Sequence, residues 1–183
     1  AKDVLPAPTG AAGPGRSEHP PKRKLHRRTT AEEIWRDTNG VVDAVVLGVG
    51  TGGTLTGVGE VLKARKPDIR IVAVEPELSP VLSGGKHSPH MIQGIGAGFV
   101  PEVLDTRLID EVMLVSNQEA LETARRLALT DGIPAGISSG AALACAFRIA
   151  KREAMKGRTV VTVLPSGAER YVSTALFEGY GES

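Results

Sequence analysis

Two glycine-rich turns carry the residue types best suited to holding an anion. The first, Gly48-Val-Gly-Thr-Gly-Gly-Thr54, follows an apolar run and precedes a segment of helical spacing. Glycine lets the backbone approach an anion closely and turn its N–H groups towards it. A helix N-terminus at the same point adds positive potential, and Thr51 and Thr54 add hydroxyl donors. Gly50, Thr51, Gly52, Gly53 and Thr54 therefore form a candidate phosphate cradle. The plainer alternative is a tight β–α connection that binds nothing, although such a turn does not require threonines. The second turn, Gly132–Gly140, contains Ser138 and Ser139. Taken by itself, Ser138 is best read as a helix N-cap.

The first turn also satisfies a dinucleotide fingerprint. Gly48, Gly50 and Gly53 match G-x-G-x-x-G, and Glu75 ends the next apolar run where a ribose-binding acid would stand. That pattern offers a nicotinamide-dependent oxidoreductase as a rival, but no residue here supplies a hydride-transfer partner. The four histidines, His19, His26, His87 and His90, show no metal-ligand spacing on a common element. Cys145 lies in an apolar helical run and reads as a small buried hydrophobe.

The elements that position these turns alternate in type. Thr30-Ala-Glu-Glu33 has capping-box spacing and opens a short helix bearing Ile34 and Trp35, with ordered structure expected from about Thr30. Residues 41–47 read as a strand, 54–65 as a helix stopped before Pro67, and 69–74 as a second strand. Residues 77–101 form a long glycine- and proline-rich loop, a length usually associated with function. A strand at 111–115, a helix capped by Ser116 and running to about Thr130, a helix at 139–154 and a strand at 159–164 follow, with a last helical turn at 171–177. This order predicts an α/β fold: a parallel sheet with helices on both faces and ligands beyond the carboxyl ends of its strands.

Composition narrows the class further. The chain has 183 residues, 41% hydrophobic and 23% charged, with only 3% aromatic, so its core must be built from aliphatic side chains. The first 30 residues hold seven basic and two acidic side chains, leaving 15 basic against 19 acidic in the remainder. That slightly acidic body gives no reason to expect nucleic acid. No run approaches the ~20 apolar residues of a membrane helix, and the single cysteine fits a reducing, cytoplasmic setting. Residues 1–25, with five prolines and no hydrophobic periodicity, read as a disordered basic tail ahead of a domain at 26–183.

Five segments together point to a family. These are His26-Arg-Arg-Thr-Thr30, the Gly50–Thr54 turn, Gln93-Gly-Ile-Gly-Ala-Gly-Phe-Val-Pro101, Gly136-Ile-Ser-Ser-Gly-Ala-Ala142 and Leu164-Pro-Ser-Gly-Ala-Glu-Arg-Tyr-Val-Ser-Thr174. In this order and spacing they resemble cysteine synthase (O-acetylserine sulfhydrylase), of the tryptophan-synthase-β-like fold type II of pyridoxal-phosphate enzymes. The resemblance covers residues 26–177. It implies that Gly50–Thr54 hold the phosphate of pyridoxal 5'-phosphate, that Ser138 faces the pyridine nitrogen, and that Gln93 and Gly94 line the active site. It implies replacement of the acetate of O-acetylserine by sulfide to give cysteine, and a homodimer. The loop Ser83–Met91 resembles one that docks serine acetyltransferase, through Lys86 and His90, with Met91 where the family usually has lysine.

The resemblance also marks what is missing. The family's cofactor-bearing lysine and carboxylate-binding loop belong to a preceding half. None of the eight lysines here, Lys2, Lys22, Lys24, Lys63, Lys66, Lys86, Lys151 and Lys156, has that context. No catalytic residue is assigned, and turnover by this chain alone is not expected. A truncated cysteine synthase and a catalytically dead remnant that binds cofactor or partner are the two resulting expectations. The lack of an initial methionine and the sequence of residues 1–25, unlike the family upstream of His26, suggest a fragment or an altered gene junction.

Overall fold

The computed structural model describes residues 20–179. Four strands, β1 (Val42–Gly48), β2 (Arg70–Pro76), β3 (Glu111–Val115) and β4 (Thr159–Thr162), form one parallel sheet in the order β3-β2-β1-β4. Five α-helices accompany it: α1 (Pro20–Arg28), α2 (Thr30–Asp37), α3 (Gly53–Arg65), α4 (Asn117–Asp131) and α5 (Ile137–Ala150). Each strand boundary lies within two residues of its sequence expectation.

β1 and β2 are central and buried on both faces, which explains their near-continuous Val, Ile, Leu and Ala runs. Alternate residues split between two cores. Val45, Leu47, Ile71 and Ala73 pack with Ile34, Leu55, Val58 and Leu62 of α2 and α3. Ala44, Val46, Val72 and Val74 pack with Ala120, Ala124, Ile137, Ala141 and Ile149 of α4 and α5. Each fully buried Val, Leu or Ile contributes about 1.5–3 kcal/mol. Small residues let α4 and α5 approach closely: a Cβ on Gly140 would sit 2.8 Å from Ala124 Cβ and amide nitrogen.

The connectivity places the site. The chain passes from β1 through α3 to β2 and on to β3, then returns across the opposite face through α4 and α5 to β4, beside β1. The N-termini of α3, after β1, and α5, beside the segment that follows β4, thus lie on opposite faces at the carboxyl ends of the strands, the usual location of a ligand crevice.

Two local expectations are corrected. Ordered helix starts at Pro20, ten residues before Thr30, so the last six residues of the expected tail are helical; residues 1–19 lie outside the described residues. Contacts with α3 stabilise α1: a Cβ on Gly57 would sit 2.7 Å from Arg23 O and 2.9 Å from His26 Cβ, and Glu60 pairs with Arg23 and Arg27. The capping box at Thr30 is also absent. Thr29 is the N-cap residue and makes no side-chain cap bond; its hydroxyl donates instead to Leu25 O of α1. The cap at Ser116 does form, its Oγ accepting from Glu119 N at 3.0 Å.

Candidate functional site

The Gly48–Gly53 turn sits at the carboxyl end of β1 and opens α3, as its strand–turn–helix pattern requires. Gly52 is the N-cap residue in the left-handed region, φ +80°, a conformation that favours glycine. The first turn of a helix leaves its N–H groups without intrahelical acceptors. Here the amides from Gly50 to Leu55 have no acceptor among the described residues, and the first bonded one is Thr56 N, to Gly52 O at 3.0 Å. Gly52, Gly53 and Leu55 are buried. Unpaired buried donors are costly, and a phosphate at this dipole end would satisfy them.

The 91–105 loop braces the cradle. Gly96 N donates to Val49 O at 3.1 Å. A Cβ on Gly50 would overlap Gly94 O, and one on Gly52 would lie 2.7 Å from Leu104 Cβ. The fully buried Thr56 hydroxyl donates to Val103 O and accepts from Asp105 N, both at 3.0 Å. Gly94, at φ +93°, carries the contact onward: a Cβ there would lie 3.9 Å from Ser138 Oγ. Gly50, Gly94 and Ser138 therefore stand in a row.

Ser138 lies in the first turn of α5 and is 4% exposed. It does not cap the helix, contrary to the role best supported by spacing alone. Gly136 is the N-cap residue, without a side-chain cap bond. The Ser138 hydroxyl has no hydrogen-bond partner among the described residues. Its neighbour Ser139 is tied down, its hydroxyl donating to Ser166 O at 3.1 Å, and Gly136 N donates to the same carbonyl at 2.8 Å. The segment after β4 thus fixes the α5 N-terminus and leaves Ser138 as its unengaged hydroxyl.

Thr51 is exposed. Thr54 is engaged: its hydroxyl lies 3.0 Å from His26 Nε2, whose Nδ1 lies 2.9 Å from Thr30 Oγ1. When Nε2–H donates to Thr54 Oγ1, the threonine proton stays free for an anion. His26 was visible in the sequence only as part of a motif. Its contact depends on α1 crossing α3, which no local pattern reveals. Gln93 is exposed beside Gly94, with its N–H bonded to Met91 O at 3.0 Å.

The dinucleotide pattern does not hold. Glu75 is 2% exposed, and its carboxylate accepts from Leu82 N, Ser83 N and Ser83 Oγ at 2.6–3.0 Å. It organises the 77–90 loop and has no side open to a ribose.

The ionic groups cluster at the other end of the sheet. Asp43, at the start of β1, is held below the usual carboxylate range by hydrogen bonds from Lys66 and then Thr159 N. Glu111, at the start of β3, is lowered chiefly by Arg152. Burial pushes the Cys145 thiol up, in keeping with an inert core residue. Lys66 is bonded at Asp43, Lys63 to Asp110 and Ile69 O, and Lys151 and Lys156 follow the C-terminus of α5. These four lie away from Ser138. Lys86 is exposed on the 77–90 loop.

Comparison with known proteins matches this arrangement to a class. A family model described as pyridoxal-phosphate dependent enzyme matches residues 7–166, and the chain belongs to that family. The match takes in part of the segment that composition sets apart as residues 1–25. Among curated relatives, a cysteine synthase of Staphylococcus aureus (strain Mu50 / ATCC 700699) is 53% identical over 165 residues, 90% of this chain and 53% of the relative. Among solved structures, O-acetyl serine sulfhydrylase isoform 3 from Entamoeba histolytica superposes with a TM-score of 0.87 at 45% identity, covering 91% of this chain and 50% of that one. An O-ureido-L-serine synthase gives 0.84 at 46%, over 88% of this chain and 51% of its own. The chain spans about half the length of the relatives it matches. Among the described residues no helix is long and apolar enough to cross a membrane.

Proposed function

We propose that this chain supplies the phosphate anchor and ring-facing hydroxyl of a cysteine-synthase site, in which sulfide replaces the acetate of O-acetylserine to give cysteine. The observation that carries this reading is the run of acceptorless amides from Gly50 to Leu55, set in line with the unengaged Ser138 across Gly94. When bound, pyridoxal phosphate would supply an electron sink for breaking and making bonds at the β-carbon. The residues present fit it. Gly50–Leu55 offer N–H donors at a helix N-terminus, with Thr51 and Thr54 adding hydroxyls. Ser138 offers a neutral hydroxyl, which can accept or donate at a ring nitrogen without placing a charge there.

The positions of the described lysines favour a second reading, a cofactor-binding chain without turnover of its own. Lys63, Lys66, Lys151 and Lys156 lie away from the cradle, and the exposed Lys24 of α1 and Lys86 of the 77–90 loop lack the sequence context of the family's cofactor-bearing lysine, so a covalent partner for the cofactor would come from elsewhere. Docking of serine acetyltransferase rests on Lys86, because His90 is turned inward.

Intact mass after incubation with pyridoxal phosphate and borohydride reduction separates the two. A single adduct on one lysine, lost on Gly52→Ala substitution, supports a working site. Non-covalent binding without an adduct supports the second reading. The absence of any binding overturns both.

A further inference from the structure

A histidine and a buried serine converge on one backbone carbonyl beside the cradle, and a second histidine backs the serine. Gly96 O accepts from His90 at 3.0 Å, through Nε2, and from the fully buried Ser79 hydroxyl at 3.3 Å. A carbonyl can only accept, so His90 carries its proton on Nε2. The His90 Nδ1 is buried with no partner among the described residues. Ser79 Oγ also lies 2.8 Å from His87 Nδ1. When His87 Nδ1–H donates to that oxygen, the single Ser79 proton is directed to Gly96 O. The N–H of the same Gly96 is bonded to Val49 O, one residue before Gly50. Gly96 itself is at φ +66°, and a Cβ there would lie 2.6 Å from the Pro76 ring. At the other end of this turn, Met91 N donates to Asn117 Oδ1 at 2.9 Å.

We propose that His90 is a positioning residue. Its Nε2–H latches the Gln93–Gly98 turn across the carboxyl end of β1, and so sets the separation between the Gly50 cradle and Ser138. This deepens the reading of Gly50–Thr54 as a cofactor-phosphate site and rests on it for the link to cofactor. The latch acts through Gly96: its carbonyl is held from the 79–90 loop and its amide by Val49, the residue after β1. Loosening the carbonyl frees Gly94, which separates Gly50 from Ser138. An exposed docking loop would not need a histidine turned inward onto its own chain.

The test uses 15N-labelled protein with His90→Phe, which keeps ring bulk and removes the donor, and His90→Gln, which restores an N–H at a similar reach. In the wild type, the His90 ring shifts should show the Nε2–H form. Exchange of the Gly96 amide should be about tenfold faster in His90→Phe and near wild type in His90→Gln, with Val45 and Val72 unchanged. Pyridoxal phosphate affinity should fall about fivefold in His90→Phe and recover in His90→Gln. A wild-type Nδ1–H form overturns the latch without any variant. So does unchanged Gly96 exchange, or equal acceleration throughout the core. Faster Gly96 exchange with unchanged cofactor affinity overturns the link to the site. A wild type that binds no pyridoxal phosphate refutes the cradle reading and leaves amide exchange to decide the latch.

Discussion

Gly52→Ala tests the bracing of the cradle most sharply, because two separate costs fall on one atom. Gly52 sits at φ +80°, and an L-residue in the left-handed region costs about 1–2 kcal/mol. The added Cβ would lie 2.7 Å from Leu104 Cβ, 3.0 Å from its Cα and 3.1 Å from its nitrogen. Backbone atoms dominate that contact, so no rotamer change relieves it. The loop cannot retreat freely either, since Leu104 N is bonded to Pro101 O and Thr56 Oγ1 holds both Val103 O and Asp105 N. Overpacking of this kind costs about 1–3 kcal/mol, for a sum of about 2–5 kcal/mol. Urea unfolding of four proteins separates the two costs: wild type, Gly52→Ala, Thr56→Val and the double variant. Thr56→Val releases the loop, so Gly52→Ala should cost less in that background, leaving mainly the backbone strain of about 1–2 kcal/mol. A Gly52→Ala variant within about 0.5 kcal/mol of wild type, the usual range of a neutral surface change, refutes the reasoning. Strict additivity in the cycle refutes the clamped loop specifically.

Ser138→Ala should leave the urea midpoint unchanged or raise it, because its hydroxyl has no partner among the described residues to lose, while Ser139→Ala should cost about 1 kcal/mol for its bond to Ser166 O; the reverse order contradicts the assignment of the two serines. Acid should weaken the fold through the far end of the sheet. Glu111 and Asp43 have lowered pKa values in the folded state, so their stabilisation is present above the ordinary carboxylate value of about 4 and is lost as pH falls through the lower folded values. Arg152→Met should flatten that acid limb of a stability–pH profile, and an unchanged profile would refute the role given to the Arg152–Glu111 pair.

Much of the fold was legible because burial is written into residue type. The central strands β1 and β2 are apolar on both faces, so Val42–Leu47 and Ile71–Val74 stand out without an alignment. The glycine turn after β1 was legible for a related reason: only glycine tolerates the close approaches and the positive φ that it requires. What was missed depends on contacts between distant segments. The polar sequence Lys-Arg-Lys-Leu-His-Arg-Arg of α1 carries no apolar stripe, yet it is helical against Gly57 and Glu60 of α3. His26 reaches Thr54 only through that crossing. The capping-box spacing at Thr30 misled because α1 runs directly into α2, with Thr29 as the N-cap residue and its hydroxyl bonded back to Leu25 O. Ser138 looked like a cap because α5 was expected to begin at Ser139, whereas Gly136 and the Ser166 carbonyl set the helix start two residues earlier. His90 stood out in sequence as a docking residue, and its inward bond to Gly96 needed the folded loop to be visible.

The central claim is that the Gly50–Leu55 amides bind the cofactor phosphate. It is tested most directly by titrating 15N-labelled protein with pyridoxal phosphate and, in parallel, with pyridoxal, which lacks the phosphate. The account predicts saturable shifts centred on Gly50–Leu55 and Ser138 with pyridoxal phosphate, and binding at least about tenfold weaker with pyridoxal, since charge-assisted hydrogen bonds contribute about 1.5–3 kcal/mol each. Equal affinity for the two, or shifts that bypass the Gly50–Leu55 amides, would contradict it.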